Sequence, residues 1–235
     1  TAGPRSWAYP IRVSDRPGRT VGISLPSRLH CSVCTVPFAR SRPHRYLLPT
    51  MPELPDVEVY RRRVERQVQH RTLTGAVVGD PLVLDGVSVS TLQRAVRGAT
   101  AGAPRRHGKQ LFVRLERGDD EGGGSPAWLR FHFGMTGRLR VVPEDDVPEY
   151  AYVQLALDAG ETLAFTVPRK LGRVGLVDDP GAYVETKGLG PDALRIDRPR
   201  FEAVLSGRRG MIKTAFLEQS VLAGLGNIYA DEILF

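Results

Sequence analysis

The sequence predicts an α+β protein in which one N-terminal helix precedes a β-sandwich and a helical unit follows it. Three observations carry that reading: apolar residues at helical spacing after Pro55, seven short β-branched or aromatic runs set between Gly, Pro and acidic turns, and helical patterns again beyond residue 200. With 235 residues, 41% of them hydrophobic and 25% charged, the chain is long enough to bury a core in one or two domains.

Residues 1–50 differ in kind from the rest. They hold seven of the 18 prolines, six serines, eight Arg, no Lys and one acid, with no sustained period of either type. They are expected to be disordered or a spurious extension. An Arg-rich, Ser-containing, acid-poor leader is also the composition of an organellar transit peptide. Arg outnumbers Lys 29 to 4 over the whole chain, which fits a GC-rich coding sequence with an upstream stretch translated in error, so Met51 is the expected biological start. Cys31 and Cys34 have the spacing of half a zinc site with His30 and His44 nearby, but His30 abuts Cys31 and is badly placed to share its metal. Two cysteines make no disulfide framework, and no apolar run reaches membrane-spanning length. The formal charge of +7 belongs wholly to this leader, because residues 51–235 hold 25 basic and 25 acidic residues. Global charge is therefore no argument for a nucleic-acid partner of the body.

From Met51 the patterns become regular. Pro55 suits the first turn of a helix, Asp56 and Glu58 favour its positive end, and Val57, Tyr60, Val64 and Val68 form an apolar stripe, predicting one helix to about His70. Strands are predicted at 72–78, 109–116, 127–133, 137–142, 152–158, 162–167 and 172–177. In 127–133 the alternation puts Leu129, Phe131 and Phe133 on one face and Trp128, Arg130 and His132 on the other. Residues 188–194, GLGPDAL, read as a linker, and helices are predicted at 201–207, 211–219 and 227–235. The expected division is an extension at 1–50, a sandwich domain at 51–186 and a partial helical domain at 187–235. The last helix reaches Phe235 with Ile228, Ile233 and Leu234 still wanting a partner, so the chain is expected to be truncated there.

Six segments carry chemistry: MPELPDVE at 51–58, RRHGK at 105–109, HFGMTG at 132–137, PRKLG at 168–172, IKTAFLEQ at 212–219 and GLGNIYADEILF at 224–235. In this order and spacing the chain resembles the formamidopyrimidine-DNA glycosylase and endonuclease VIII family of bifunctional DNA glycosylases and abasic-site lyases. The resemblance implies a helix-two-turns-helix module after the sandwich, with double-stranded DNA containing oxidised bases or abasic sites as partner. It also implies a monomer with no membrane contact, in the cytoplasm of a bacterium with its nucleoid, or in an organelle if residues 1–50 are a genuine transit peptide. No cofactor is expected in this chain; the one structural zinc of the family belongs to a C-terminal finger that the sequence lacks.

A proline at a chain's first position is a secondary amine of pKa about 8, able to attack carbon. The resemblance makes Pro52 that nucleophile, once Met51 and the leader are absent, and Glu53 its partner acid. Alone, MPELPD is also an ordinary helix start. While residues 1–51 stay attached the Pro52 nitrogen is an amide and no nucleophile, so the chain as written is expected to be inactive, and a catalytically silent damaged-DNA-binding relative is the alternative reading. Lys109, after a glycine at the mouth of a strand, is expected to reach a phosphate or donate a proton; a solvated strand-edge lysine is the bland alternative. His132 on the non-core face suits phosphate contact. Met135, at a predicted Gly134–Gly137 hairpin tip, suits a wedge into the base stack, unless it folds back onto the sandwich.

The family implies that Arg169 and the residue at Leu171 join Met135 in filling the hole left by an extruded nucleotide. The sequence departs from the family pattern at Leu171, where Phe is usual, at Val167, where Asp is usual, and at Asp56, where Glu is usual. Tyr150 stands where a DNA-contacting His is common. Gly224 to Asn227 turns tightly into a helix start, a natural phosphate seat or an ordinary cap, with Asn227, Lys213 and Arg208 as the expected polar contacts. Glu232 is expected to reach Asp56 or Arg106, or else to lie on a solvated helix face.

Overall fold

The computed structural model describes residues 51–118 and 127–235. The calls on residues 1–50, including the Cys31/Cys34 pair, lie outside the described residues. Helix α1 (Leu54–Gln67) begins where expected, and Asp56 Oδ2 accepts the Glu53 N–H at 2.9 Å, so the shorter acid still closes the first turn. The helix stops three residues short of His70, which itself takes the left-handed region at φ 67°. Val57, Val64 and Val68 are buried, and Tyr60 stacks on Phe133 with centroids 4.6 Å apart.

Eight strands follow: β1 (Thr72–Val78), β2 (Ala99–His107), β3 (Gln110–Glu116), β4 (Ala127–His132), β5 (Arg138–Pro143), β6 (Ala151–Leu157), β7 (Glu161–Thr166) and β8 (Arg173–Val177). All pairs are antiparallel, in the order β5-β7-β6-β1-β2-β3-β4-β8. The joint between β1 and β2 is only Thr72 to Thr100 and Leu73 to Ala99, so the sheet is two four-stranded halves meeting at one corner. They pack face to face through aromatics: Phe131 of β4 and Phe133 just after it lie edge-on to Phe165 of β7, at 5.6 and 5.8 Å. Val167, where the family pattern has an acid, is fully buried in this core.

Three elements escaped the sequence reading, two helices and a strand. Helix α2 (Val89–Val96) is two turns long, capped by Ser88 and anchored by Leu92 and Val96. Strand β2 contains Gly102 and Pro104, poor strand formers, and a register shift between Ala101 and Pro104 accommodates them. Two expectations about β4 are corrected. Its Trp128/Arg130 face is not open, because helix α3 (Pro180–Thr186) covers it: the Arg130 guanidinium sits 5.0 Å over the Tyr183 ring and pairs with Asp85. The turn at Gly134–Gly137 is no hairpin tip, since β4 pairs with β3 and β8 while β5 pairs with β7; it carries the chain from one layer to the other.

The helices after the sandwich are α4 (Arg198–Leu205), α5 (Ile212–Leu217) and α6 (Asn227–Leu234). They share a small core of Phe216, Leu222, Leu225 and Ala230, with Phe201 and Tyr229 against it. No helix among the described residues is long and apolar enough to cross a membrane.

Burial pushes the Glu58 carboxyl up, but the guanidiniums of Arg61, Arg62 and Arg106 outweigh it and hold the group at about 2, against 4.5 for a free glutamate. A depressed acid stabilises the fold above its unfolded pKa and loses that contribution as pH falls through the folded value. Resistance to urea is therefore expected to fall as the pH drops from about 4.5 to about 2, and Glu58→Gln should remove roughly 1 to 2 kcal/mol of that fall after allowing for solvent screening. Urea midpoints of both proteins at about pH 6 and pH 2.5 check this; equal acid slopes would refute it.

Candidate active site

Pro52 and Glu53 lead into α1 and both are buried, Glu53 completely. A buried carboxylate needs partners, and Glu53 finds them in the first turn of α6. Its Oε2 accepts the N–H groups of Gly226 at 2.7 Å and Tyr229 at 3.3 Å, and its Oε1 accepts that of Ile228 at 3.0 Å. The helix start read as a phosphate seat is thus filled by the protein's own acid, and Asn227 is left exposed beside it. A Cβ on Gly226 would lie 2.4 Å from the Glu53 carboxyl group and 2.6 Å from Lys109 Nζ, so the position admits only glycine and the two charged groups share one small volume.

Lys109 is the second residue of a two-residue turn between β2 and β3. Gly108 before it has φ 53°, and a Cβ there would strike Ala223 at 2.9 Å. Burial lowers the Lys109 ammonium below the usual lysine range, with the Glu53 charge opposing it. His132 faces the same space at the end of β4, its Nδ1 3.3 Å from Gln110 Nε2. Burial, then the Arg130 charge, lowers its pKa, so the imidazole is neutral at neutral pH. Pro52, Lys109, His132, Met135 and Gln219 line one cavity of about 300 Å³. Larger grooves of about 690 and 440 Å³ lie beside Arg94, Arg97 and Arg117 and beside Arg63, Arg138 and Arg140. Neither is lined by a lysine or a histidine, whereas the smaller cavity brings Pro52, Lys109 and His132 together.

The rim is made by two loops in contact. Gly134 has φ 57°, and a Cβ on it would lie 2.6 Å from the Leu171 carbonyl group. Met135 is half-buried on the cavity wall, less exposed than a free tip, while Leu171 is 43% exposed and Arg169 is exposed without an ion pair among the described residues. Tyr150 is exposed with φ 64°, its carbonyl accepting the Val167 N–H at 3.0 Å, so it stands at the base of the Arg169 loop. Lys213 and Arg208 are each in an ion pair, with Asp231 at 2.5 Å and Glu218 at 3.0 Å.

Glu232 does not brace Arg106; it is exposed, and the buried guanidinium is held by Asp192 at 2.6 and 2.8 Å and by Glu58 at 3.2 Å. Asp192 was read as part of a linker. The signal available was an acid inside GLGPDAL, a stretch otherwise of small and apolar residues. Gln219, also unforeseen, ties the loop before α6 by accepting from Gly224 N at 3.0 Å and donating to Leu225 O at 2.8 Å.

Residues 51–174 match the family model for the formamidopyrimidine-DNA glycosylase N-terminal domain, and residues 188–235 match that for the formamidopyrimidine-DNA glycosylase H2TH domain. Curated formamidopyrimidine-DNA glycosylases from Halorhodospira halophila and Herpetosiphon aurantiacus are 38% and 36% identical over 189 residues, covering 79% of this chain and 67% and 66% of their own. The Lactococcus lactis enzyme, solved with DNA containing N7-benzyl-Fapy-dG, superimposes with a TM-score of 0.68 at 30% identity, over 78% of this chain and 66% of that one. The same enzyme bound non-covalently to abasic-site DNA gives 0.68 at 28% identity, over 78% and 68%. The chain spans about two thirds of the length of these relatives. Buried Glu53 at the start of α6, Lys109 beside it and matches over most of residues 51–235 lead to one conclusion: the chain belongs to the formamidopyrimidine-DNA glycosylase family.

Proposed function

We propose that this protein is a base-excision repair DNA glycosylase with β-elimination lyase activity, acting as a monomer on duplex DNA with oxidised bases or abasic sites. The observation that carries the reading is that Pro52 and Lys109 line one cavity of about 300 Å³, with the buried Glu53 carboxyl group behind them in the volume it shares with Lys109 Nζ. When Pro52 is the first residue its nitrogen carries a free lone pair, and it attacks C1′ of the damaged nucleotide. The N–C1′ bond forms as the glycosidic bond breaks and the base leaves. Glu53 takes the proton that the Pro52 nitrogen sheds once it is bonded to C1′ and passes it to the ring oxygen as the sugar opens, leaving an iminium between Pro52 and C1′. Loss of a C2′ proton to water then forms the C2′–C3′ double bond and expels the 3′ phosphate, with Lys109 stabilising the leaving oxygens and His132 able to donate a hydrogen bond to the backbone.

Met135 and Leu171, on touching loops at the cavity mouth, fill the duplex around the extruded nucleotide, and Arg169 meets the orphaned base. Leu171 wedges but does not stack, which shifts the dependence on the opposite base relative to a phenylalanine. Asn227, Tyr150, Lys213 and Arg208 are carried as flanking backbone contacts. Among the described residues no three potential metal ligands cluster, and no step of this reading runs through a metal. A second reading has a specific basis: with Met51 attached, the Pro52 nitrogen is delocalised into a carbonyl, and the chain binds damaged DNA without reacting.

Borohydride trapping on an abasic-site duplex tests the first reading against the second. A chain starting at Pro52 should give a covalent adduct and the 1–235 chain none; equal yields from both would sink the amine assignment. Lys109→Ala and Glu53→Gln should each slow trapping by at least about 100-fold, the range of a lost charged or proton-transfer group. Met135→Ala should slow excision from duplex DNA roughly 10- to 100-fold, the scale of an unsupported unstacked step, while leaving cleavage of an abasic single strand within about threefold. Single-turnover rates on both substrates decide it, and an equal defect on both would assign Met135 to packing.

A further inference from the structure

We propose that Asp192 is a positioning residue that, through Arg106 and Gly108, locks the β2–β3 turn so that the Lys109 ammonium is presented to the cavity beside Glu53; this rests on the role given to Lys109 above. Asp192 Oδ2 accepts from Arg106 at 2.6 Å and from the Gly108 N–H at 2.7 Å, and Oδ1 accepts from Arg106 at 2.8 Å and from the Leu194 N–H at 3.0 Å. Arg106 in turn donates to the Gly108 carbonyl at 2.9 Å, so both backbone groups of the residue before Lys109 are held by one ion pair. His107 Nε2 adds a bond to the Gly190 carbonyl at 2.9 Å, stitching the turn to the 190–194 loop from its other side.

The clamp is buried, with 1% of the Arg106 side chain and 5% of Asp192 exposed. A buried ion pair is weak evidence for stability, because its desolvation cost rivals its attraction; what such a pair supplies well is a unique arrangement. Two bonds of this one, from the Gly108 N–H and to the Gly108 carbonyl, fix the two-residue turn directly. That turn carries a single functional side chain, and a displacement of about 1 Å in a catalytic group costs on the order of 100-fold in rate. Glu53 from the start of α1 and His132 from β4 are the titratable groups facing the Lys109 amine, and Asp192 reaches it only through the backbone.

The chain has four lysines, Lys109, Lys170, Lys187 and Lys213, so each amine reports separately. Reductive methylation of the 1–235 chain with formaldehyde and cyanoborohydride, followed residue by residue by mass spectrometry, should show Asp192→Asn raising the Lys109 rate about tenfold relative to the other three, as the turn opens to solvent. Arg106→Lys keeps the charge but loses the two-pronged grip, and should raise it by a smaller factor if the first variant does not fold. Unchanged relative reactivity of Lys109 in folded variants, or equal rises at all four lysines, overturns the proposal. In a chain starting at Pro52, Asp192→Asn should slow single-turnover excision at least about 30-fold with duplex affinity within about threefold, and should add nothing to Lys109→Ala. A freed Lys109 with full excision activity would uphold the clamp and overturn the catalytic role given to Lys109; an undiminished loss in the Lys109→Ala background would make Asp192 a structural residue only.

Discussion

A fully buried carboxylate held by a helix start organises this molecule. Glu53 is the residue before α1, yet its bonds run to the backbone of Gly226, Ile228 and Tyr229, more than 170 positions later. Leu54 repeats the link, donating its N–H to the Gly224 carbonyl at 3.0 Å. Losing those donors would strand an acid away from water, which is far more costly than the surface ion pairs along α1 are favourable. The placement of α6 is therefore dictated by the acid, and so is the need for a glycine at 226, whose missing side chain makes room for Glu53 and Lys109 together.

The same arrangement sets the electrostatics around it. Lys109 and His132 both lose proton affinity through burial, and His132 also through the charge of Arg130 behind it, which is anchored by Asp85 and Tyr183. Both groups therefore hold their protons less firmly than they would in water. Away from it, cations are neutralised in pairs such as Lys213 with Asp231 and Lys170 with Asp80. The apolar rim of Met135 and Leu171 separates the two regimes.

Much of the fold was legible because most strands are bounded by turn residues and alternate against one core; the ranges expected for β1 and for β3 to β8 differ from the observed ones by a residue or two. The strand β2 was not legible, since Gly102 and Pro104 argue against it and only pairing with β3 overrides them. The openness of the Arg130 face was misread because α3, which covers it, has no long apolar stripe. That Pro52, Lys109, His132 and Met135 would lie near one another was legible from their motifs, and they line one cavity. The filling of the α6 start by Glu53 was not, because a helix N-terminus looks the same in sequence whether its donors face a ligand or a distant side chain. Asp192 was hidden for a related reason: a short connecting segment announces its residues' chemistry only when the surface it lies on is known.

The cavity is built from five separate stretches, at residues 51–52, 108–110, 132–135, 189 and 219–223, none of which touches all the others in sequence. In the sandwich behind it, β1 and β6 must also close a loop of more than 70 residues before they pair. Long-range closures of this kind come late in folding. These stretches thus meet only after both layers and the helical unit have docked, so a nascent or partly unfolded chain carries Pro52, Glu53 and Lys109 without their mutual alignment. The topology acts as a coincidence detector, giving the assembled molecule a constellation of side chains that its fragments lack.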